Sequence, residues 1–411
     1  MLLPFDTNSV AAEIEEIDRW RVRLYQERRP LSRRWSGRLR RDLEAQSVQA
    51  STAMEGVAVT VDDVRRILAG DPPREVSRQD AALVLGYREA MTYVSRRADD
   101  PNFIWNRELA VAVHDRVLAG EHEAGAGRMR SGPSRVADRR TERTVFLPPG
   151  ANEVPELVDG LLGQLTEEEL HPAVSAAWLH VALAAVHPFR DGNGRTARVL
   201  TSLVMFRGGF RSPTFTSLEE WWGHHPEEYY RAFACLGDRF DPRADVTPFI
   251  EAHVNAQLAQ VRALDLRERV QRGLWVVVEN VLDDLGLPPR LANAAWDAFF
   301  GFTVASGSYR GYNDVSPATA TADLRDATVA GLLTASGQTR GRTYRAGERL
   351  FRLLARELHL DEGAATGRLA IIDELTRRVT KDEPAQPSLL DPRRFAESPG
   401  PQTAQAVSAD A

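Results

Sequence analysis

An all-α fold is predicted: helices gathered about one loop, a small β-hairpin beside it, and a winged helix-turn-helix near the C-terminal end. Three observations carry this prediction. Helical periodicity fills most of the 411 residues. Two apolar runs, Ala176–Val186 and Thr196–Met205, flank a short glycine-bearing loop and read as buried helices. A Gly/Arg-rich turn, Ser336–Gly347, follows a set of helices and lies between two short extended segments.

The elements follow in chain order. Asn8–Gly70 has a helical pattern broken at Pro30, and its segment Arg38–Met54 lacks Gly and Pro and stops at Glu55-Gly56. A loop at Asp71-Pro72-Pro73 precedes a helix around Gln79–Arg96. Asn106 to about Gln260 is mostly helical, except for Gly125–Pro149, which is rich in Gly, Arg and Pro and ends in the extended run Thr144–Pro149. Helical runs at Val270–Leu285, Pro289–Phe299 and Ser316–Val329 lead into the Gly/Arg turn. The expected division is a helical region 1–102, a core 103–260, a winged-helix-type unit 261–375 and a disordered tail 376–411, whose Pro, Ala, Ser and Gln cannot build a core.

Composition narrows the function classes. Hydrophobic residues at 43% and charged residues at 27% describe a globular chain, and a net charge of −6 argues against a general polyanion-binding surface. Lys381 is the only lysine, so a local abundance of arginine says less than usual about binding. The single cysteine, Cys235, cannot form an internal disulfide, which fits a reducing compartment. Asp6 interrupts the opening residues and no apolar core follows, unlike a signal peptide. No run approaches the ~20 apolar residues of a membrane helix. The expectation is a cytoplasmic protein without a membrane partner.

Residues 187–198 read HPFRDGNGRTAR. A glycine-interrupted loop opening onto a helix start converges backbone N–H groups on an anion, and the helix dipole adds to the attraction. His187, placed before Pro188, can present a base near neutrality. Asp191 is the hard oxygen ligand that Mg²⁺ prefers to share with phosphates and water. Gly192 and Gly194 allow close backbone approach, and Asn193 adds a side-chain donor. Arg195 and Arg198, three apart at a helix start, can face the same phosphates. Phe189 anchors the loop, and Arg190 has no assigned role. Taken singly, a His before Pro reads as structural and DGNG as a turn; together the residues supply the parts of nucleotidyl transfer.

The string resembles the signature HxFx(D/E)GNGRxxR of the Fic (Fido) family at every defined position, and the resemblance covers about Phe103–Gln257. It implies an all-α core that moves AMP from ATP onto a Ser, Thr or Tyr hydroxyl of a target protein, with self-modification as one outcome. His187 would be the general base and Asp191 the Mg²⁺ ligand. Gly192, Asn193 and Gly194 would form the anion hole, Arg195 would hold the β-phosphate and Arg198 the γ-phosphate. Thr144–Pro149 resembles the flap that aligns a target peptide by backbone pairing, and the resemblance counts its Val145 among the nucleotide-binding residues. Tyr229-Tyr230 stand where relatives carry a tyrosine pair lining the nucleotide pocket, although core packing explains such a pair equally well. Gly237 stands where some relatives have an Asn.

A second motif, Ser51-Thr52-Ala53-Met54-Glu55-Gly56, matches the family's inhibitory pattern (S/T)xxxE(G/N). It implies that Glu55 pairs with Arg198 and occupies the cation meant for the γ-phosphate; the bland alternative is that Glu55 caps a helix. Family members also append winged helices and form homodimers. Six arginines (Arg340, Arg342, Arg345, Arg349, Arg352 and Arg356) lie in Ser336–Arg356 and suit DNA phosphates, while a winged helix serves protein docking as well. Removal of AMP from a modified target, transfer of another nucleotide, and a DNA-binding regulator with a sensor core stand as the alternative functions. The resemblance argues against phosphate transfer, because the branch of the family that performs it carries Lys where Gly194 stands.

Overall fold

The computed structural model describes residues 2–26, 33–118, 125–138, 141–167, 169–211, 218–337, 342–360 and 367–381. Its N-terminal half is helical: α1 (Ala11–Gln26), α2 (Arg33–Ala53), α3 (Val61–Leu68), α4 (Arg78–Arg97) and α5 (Arg107–Val117). Local chemistry starts these helices. Thr60 and Asp63 form a reciprocal capping box on α3, and Ser77 and Asn106 accept the N3 backbone N–H of α4 and α5. α2 stops at Ala53, one residue short of Met54, and Gly56 takes φ 87° just beyond it.

A hairpin of β1 (Val136–Ala137) and β2 (Thr144–Phe146) precedes α6 (Val154–Glu167), α7 (Pro172–Val186) and α8 (Asn193–Arg207). The α7–α8 pair is the centre of the fold. Apart from Pro172 and Ala184, every residue of α7 is buried, which is why its sequence shows an apolar run without an amphipathic period. Two short helices, α9 (Leu218–His224) and α10 (Pro226–Ala232), then lead to α11 (Thr247–Asp284), a continuous helix of 38 residues.

The expected boundary at residues 260/261 therefore falls inside one unbroken helix. The apolar partners change instead: the side chains up to Val261 belong to the first core, and those from Leu266 onward to the second. No Pro follows Pro248 in the helix and its one glycine, Gly273, lies well beyond residue 261, so nothing local ends it there. The boundary at 102/103 likewise separates no cores. Leu3, Val10, Ile17, Val48 and Val64 pack in the same cluster as α7 and α8. The N-terminal segment is stitched to it by Leu3 N–H to Pro242 O and Trp178 Nε1–H to Leu3 O.

The C-terminal unit runs α12 (Ala292–Phe299), β3 (Val304–Ala305), α13 (Ser306–Asn313), α14 (Pro317–Val329), β4 (Leu333–Ser336), β5 (Thr343–Ala346), α15 (Glu348–Glu357) and α16 (Arg368–Thr380). Its three strands form an antiparallel sheet in the order β3-β5-β4. Ser316 caps α14, with Pro317 at the first helical position. Residues 376–380, expected in a disordered tail, are the last turn of α16, anchored by Ile371, Ile372 and Leu375 in the second core. The remainder of that expected tail, 382–411, and the tip of the Gly/Arg turn, 338–341, lie outside the described residues.

Candidate active site

The loop between α7 and α8 is held by residues distant in sequence. His187 ends α7 in the left-handed region (φ 48°, ψ 60°), and Pro188 prevents the helix from continuing. Arg130 fixes this turn: its Nε donates to His187 O at 2.8 Å and its Nη2 to Pro149 O at 2.6 Å. His114, on α5, holds the other end. Its Nδ1 accepts from Gly127 N–H at 3.1 Å, so Nε2 carries the proton and donates to Asp191 O at 2.9 Å. The ring stacks on Phe189 with centroids 3.7 Å apart, and burial lowers its pKa to about 4, which keeps this neutral tautomer. Neither Arg130 nor His114 stands out in the sequence, because each acts on the loop across many residues of intervening chain.

The imidazole of His187 donates to Ala184 O, and its Nε2 has no hydrogen-bond partner among the described residues. Nε2 is therefore the unprotonated nitrogen. Burial, and then the nearby Arg130 charge, lower the pKa to about 4, so the ring is a neutral base at physiological pH. Gly192 takes φ 74° at the N-cap of α8, where a Cβ would meet Leu118 Cγ at 3.1 Å. Asp191 Oδ1 accepts the Gly192 N–H at 2.6 Å, and its side chain is 38% exposed.

The side chain of Asn193 brackets Phe189, accepting its N–H and donating one amide hydrogen to its carbonyl, each at 2.9 Å, and the residue also lines the cavity. Arg195 lies outside the cavity lining. Its buried guanidinium turns toward the C-terminal end of α5, with Nη1 3.4 Å from Val117 O and Nη2 3.5 Å from Asp191 Oδ2. The free carbonyls of a helix end attract it there. Arg198 faces the cavity instead.

Arg198 is buried and fully engaged. Nη2 donates to Glu55 Oε1 at 2.8 Å and to Ser51 O at 3.0 Å, and Nε donates to Ser51 Oγ at 2.9 Å. Gly194 makes room for this pair, since a Cβ there would stand 2.5 Å from Glu55 Oε1. The Ser51–Glu55 turn and the α8 N-terminus thus meet, although 143 residues separate Glu55 from Arg198.

These groups line one cavity of about 380 Å³, together with His187 and the start of α8. Val145 and Phe146 of the hairpin form one side, with Val145 45% exposed. Tyr229 and Tyr230 form the other. Tyr229 is buried, and its hydroxyl, which accepts from Arg198, lies 3.1 Å from His180 Nε2. Gly237 also lines the cavity at φ 70°, ψ −150°, a region open essentially to glycine alone. An Asn in its place would require a different loop.

Residues 105–205 match the sequence model of the Fic/DOC family. The chain is 31% identical over 171 residues to a protein adenylyltransferase Fic of Nematostella vectensis, covering 40% of this chain and 38% of that one. It is 28% identical over 220 residues to a protein of the same name from Culex quinquefasciatus, covering 52% and 40%. The chain thus spans about 40% of the length of these curated relatives. A crystal structure of a Fic family protein from Desulfovibrio desulfuricans G20 superposes with a TM-score of 0.52 at 24% identity, covering 85% of this chain and 98% of that one. A Fic domain containing signaling protein from Bacteroides thetaiotaomicron superposes with a TM-score of 0.52 at 21% identity, covering 64% and 97%.

Proposed function

We propose that this chain, which carries a Fic/DOC family domain over residues 105–205, is a protein adenylyltransferase restrained by its own Glu55. The observation that carries the reading is a neutral His187 with an unpartnered Nε2 in the same cavity as the α8 N-terminus and Arg198. In the reaction, a target hydroxyl oxygen bonds to the α-phosphorus of ATP while His187 Nε2 takes the hydroxyl proton. The bond to the β-phosphate oxygen breaks, and pyrophosphate leaves. The backbone N–H groups at the start of α8 would hold the phosphates.

Asp191 offers a partly exposed carboxylate beside these N–H groups, which suits a Mg²⁺ ion completed by phosphate oxygens and water. When bound, the ion would neutralise charge on the phosphates. The exposed β2 residue Val145 would face an extended target peptide.

Arg198 is the cation in position for the γ-phosphate, and Glu55 occupies it. A buried guanidinium is costly to leave unpaired, so Glu55 yields only to a competing anion or to movement of the α2 end. ATP would then bind with its α-phosphate out of line. Label transfer from α-³²P-ATP with Mg²⁺ tests this: strong labelling is expected in Glu55→Gly, weak in the native chain, and none in Glu55→Gly with His187→Ala. A silent Glu55→Gly overturns the reading.

The order helix, strand, two helices, strand, strand, with the sheet ordered β3-β5-β4, supports a winged helix at the C-terminal end. Arg342 just before its last strand, Arg345 on that strand, and Arg352 and Arg356 on α15 are exposed, which suits nucleic-acid phosphates. Binding to duplex DNA that fails to weaken with added salt, or no binding, would refute that contact.

A further inference from the structure

Ser51 accepts a hydrogen bond from the Arg198 Nε–H, so its own proton must go elsewhere. The acceptor in reach is the hydroxyl of Tyr87, on α4. Tyr87 in turn donates to Glu219 Oε1 on α9 at 2.8 Å. The other carboxylate oxygen, Oε2, accepts from Ser47 Oγ at 3.4 Å. Every donor in this chain points the same way, from the Arg198 cation to the Glu219 carboxylate.

The chain is sealed from solvent. Ser51 and Tyr87 have no exposed surface, Glu219 is 3% exposed, and Ser47 is buried. Burial pushes the Glu219 carboxyl up, while its hydrogen bonds and the Arg198 charge pull the other way. Glu219 also grips α2 twice, directly through Ser47 and, one turn later, through Tyr87 and Ser51. The two helices lie close enough that a Cβ on Gly223 of α9 would stand 3.2 Å from Ala50 Cβ of α2.

Ser51 lies one turn before Glu55, and the connecting backbone is tied by Glu55 N–H to Thr52 O at 3.0 Å. Whatever fixes Ser51 therefore fixes Glu55 over Arg198. We propose that Tyr87 and Glu219 are positioning residues that latch the C-terminal end of α2, so that Glu55 stays on Arg198 only while this buried chain is intact. The proposal rests on the reading of Glu55 as the internal inhibitor. It assigns a purpose to two buried polar residues that lie outside the lining of the active-site cavity.

The test uses Tyr87→Phe in the full chain, with and without Glu55→Gly, and two readouts. Transfer from α-³²P-ATP should rise roughly tenfold in Tyr87→Phe alone, the order of effect of one buried hydrogen bond on an equilibrium. It should not rise further when Glu55→Gly is already present. Amide hydrogen exchange at residues 51–57 should be faster in Tyr87→Phe than in the native chain. Unchanged exchange, or an equal fall of transfer in both backgrounds, overturns the latch. If Glu55→Gly is itself silent, the transferase reading fails, and exchange alone then decides the latch. Should Tyr87→Phe not fold, Ser47→Ala is expected to speed exchange at the same residues by a smaller factor, and no change there overturns the proposal.

Discussion

Gly194 and Glu55 are complementary in space: a Cβ on Gly194 would lie 2.5 Å from Glu55 Oε1 and 3.1 Å from Arg198 Nη1. Glycine at this position therefore admits the Glu55 carboxylate. Gly194→Ala should push Glu55 aside and weaken its pair with Arg198. In a double-mutant cycle read by denaturant unfolding, Gly194→Ala should cost about 1–2 kcal/mol in the native chain and clearly less beside Glu55→Gly. Equal costs in both backgrounds would mean that the two residues are not coupled.

Removing Glu55 leaves the Arg198 guanidinium with Ser51 as its main remaining partner. The Glu55 side chain is 17% exposed, so water repays part of the loss. Glu55→Gly should be less stable than the native chain by about 1–3 kcal/mol without nucleotide. With Mg²⁺ and ATP it should gain more thermal stability than the native chain, because ligand that reaches Arg198 stabilises the folded state by mass action. Thermal unfolding with and without nucleotide measures both effects. A larger ATP-induced shift in the native chain would contradict the role given to Arg198.

Much of the site was legible because its chemistry is local. His187, Asp191 and the glycines lie within one loop, and Ser51–Gly56 is a contiguous motif. The direction of a side chain was less legible. Arg195 and Arg198 are three apart on a helix, a spacing that puts two side chains near one face without saying which neighbour captures each. The open carbonyl end of α5 draws Arg195 away, and α5 cannot be placed from spacing. Arg130, His114, Tyr87 and Glu219 escaped notice for the same reason, since their partners come from other helices. The 260/261 boundary falls inside a helix that two cores share, and the change of partners between Val261 and Leu266 is visible only in packing.

Burial makes the histidines of this fold sensitive to acid. The pKa values of His114 and His187 are lowered to about 4, and that of His253 to about 3, in each case chiefly by burial. The unfolded chain takes up these protons near pH 6.5, whereas the folded one resists until far lower. Each group therefore subtracts stability as pH falls below 6.5, and the loss levels off near its folded pKa. Unfolding free energy should drop between pH 6.5 and 4 with a slope of up to ~1.4 kcal/mol per pH unit for each histidine. His253→Asn should reduce that slope by about one proton. A slope unchanged in His253→Asn would show that the residue titrates normally.

The N-terminal helices are fastened to the C-terminal unit by a buried ion cluster. Arg65, on α3, pairs with Asp297 of α12, and its Nε lies 3.7 Å from Asp42 Oδ1 of α2. Trp296 Nε1 donates to Asp42 Oδ2 at 3.1 Å, and the Arg65 guanidinium sits 4.0 Å from the Phe302 ring centroid. One cation thus answers two buried carboxylates, and losing it leaves both uncompensated. Arg65→Met should destabilise the chain by about 3–5 kcal/mol, more than removal of either aspartate alone. Arg65→Met with Asp297→Asn should recover part of that loss, because only the Asp42 charge then stays buried without its cation. The cluster also bridges the two cores, alongside α11, the Arg41–Asn293 hydrogen bond and Phe302, which packs on both. Its loss should split a single unfolding transition into two, with the second core melting first, as followed by tryptophan fluorescence from Trp275 and Trp296. One transition shifted without splitting would mean that α11 and the remaining contacts carry the coupling.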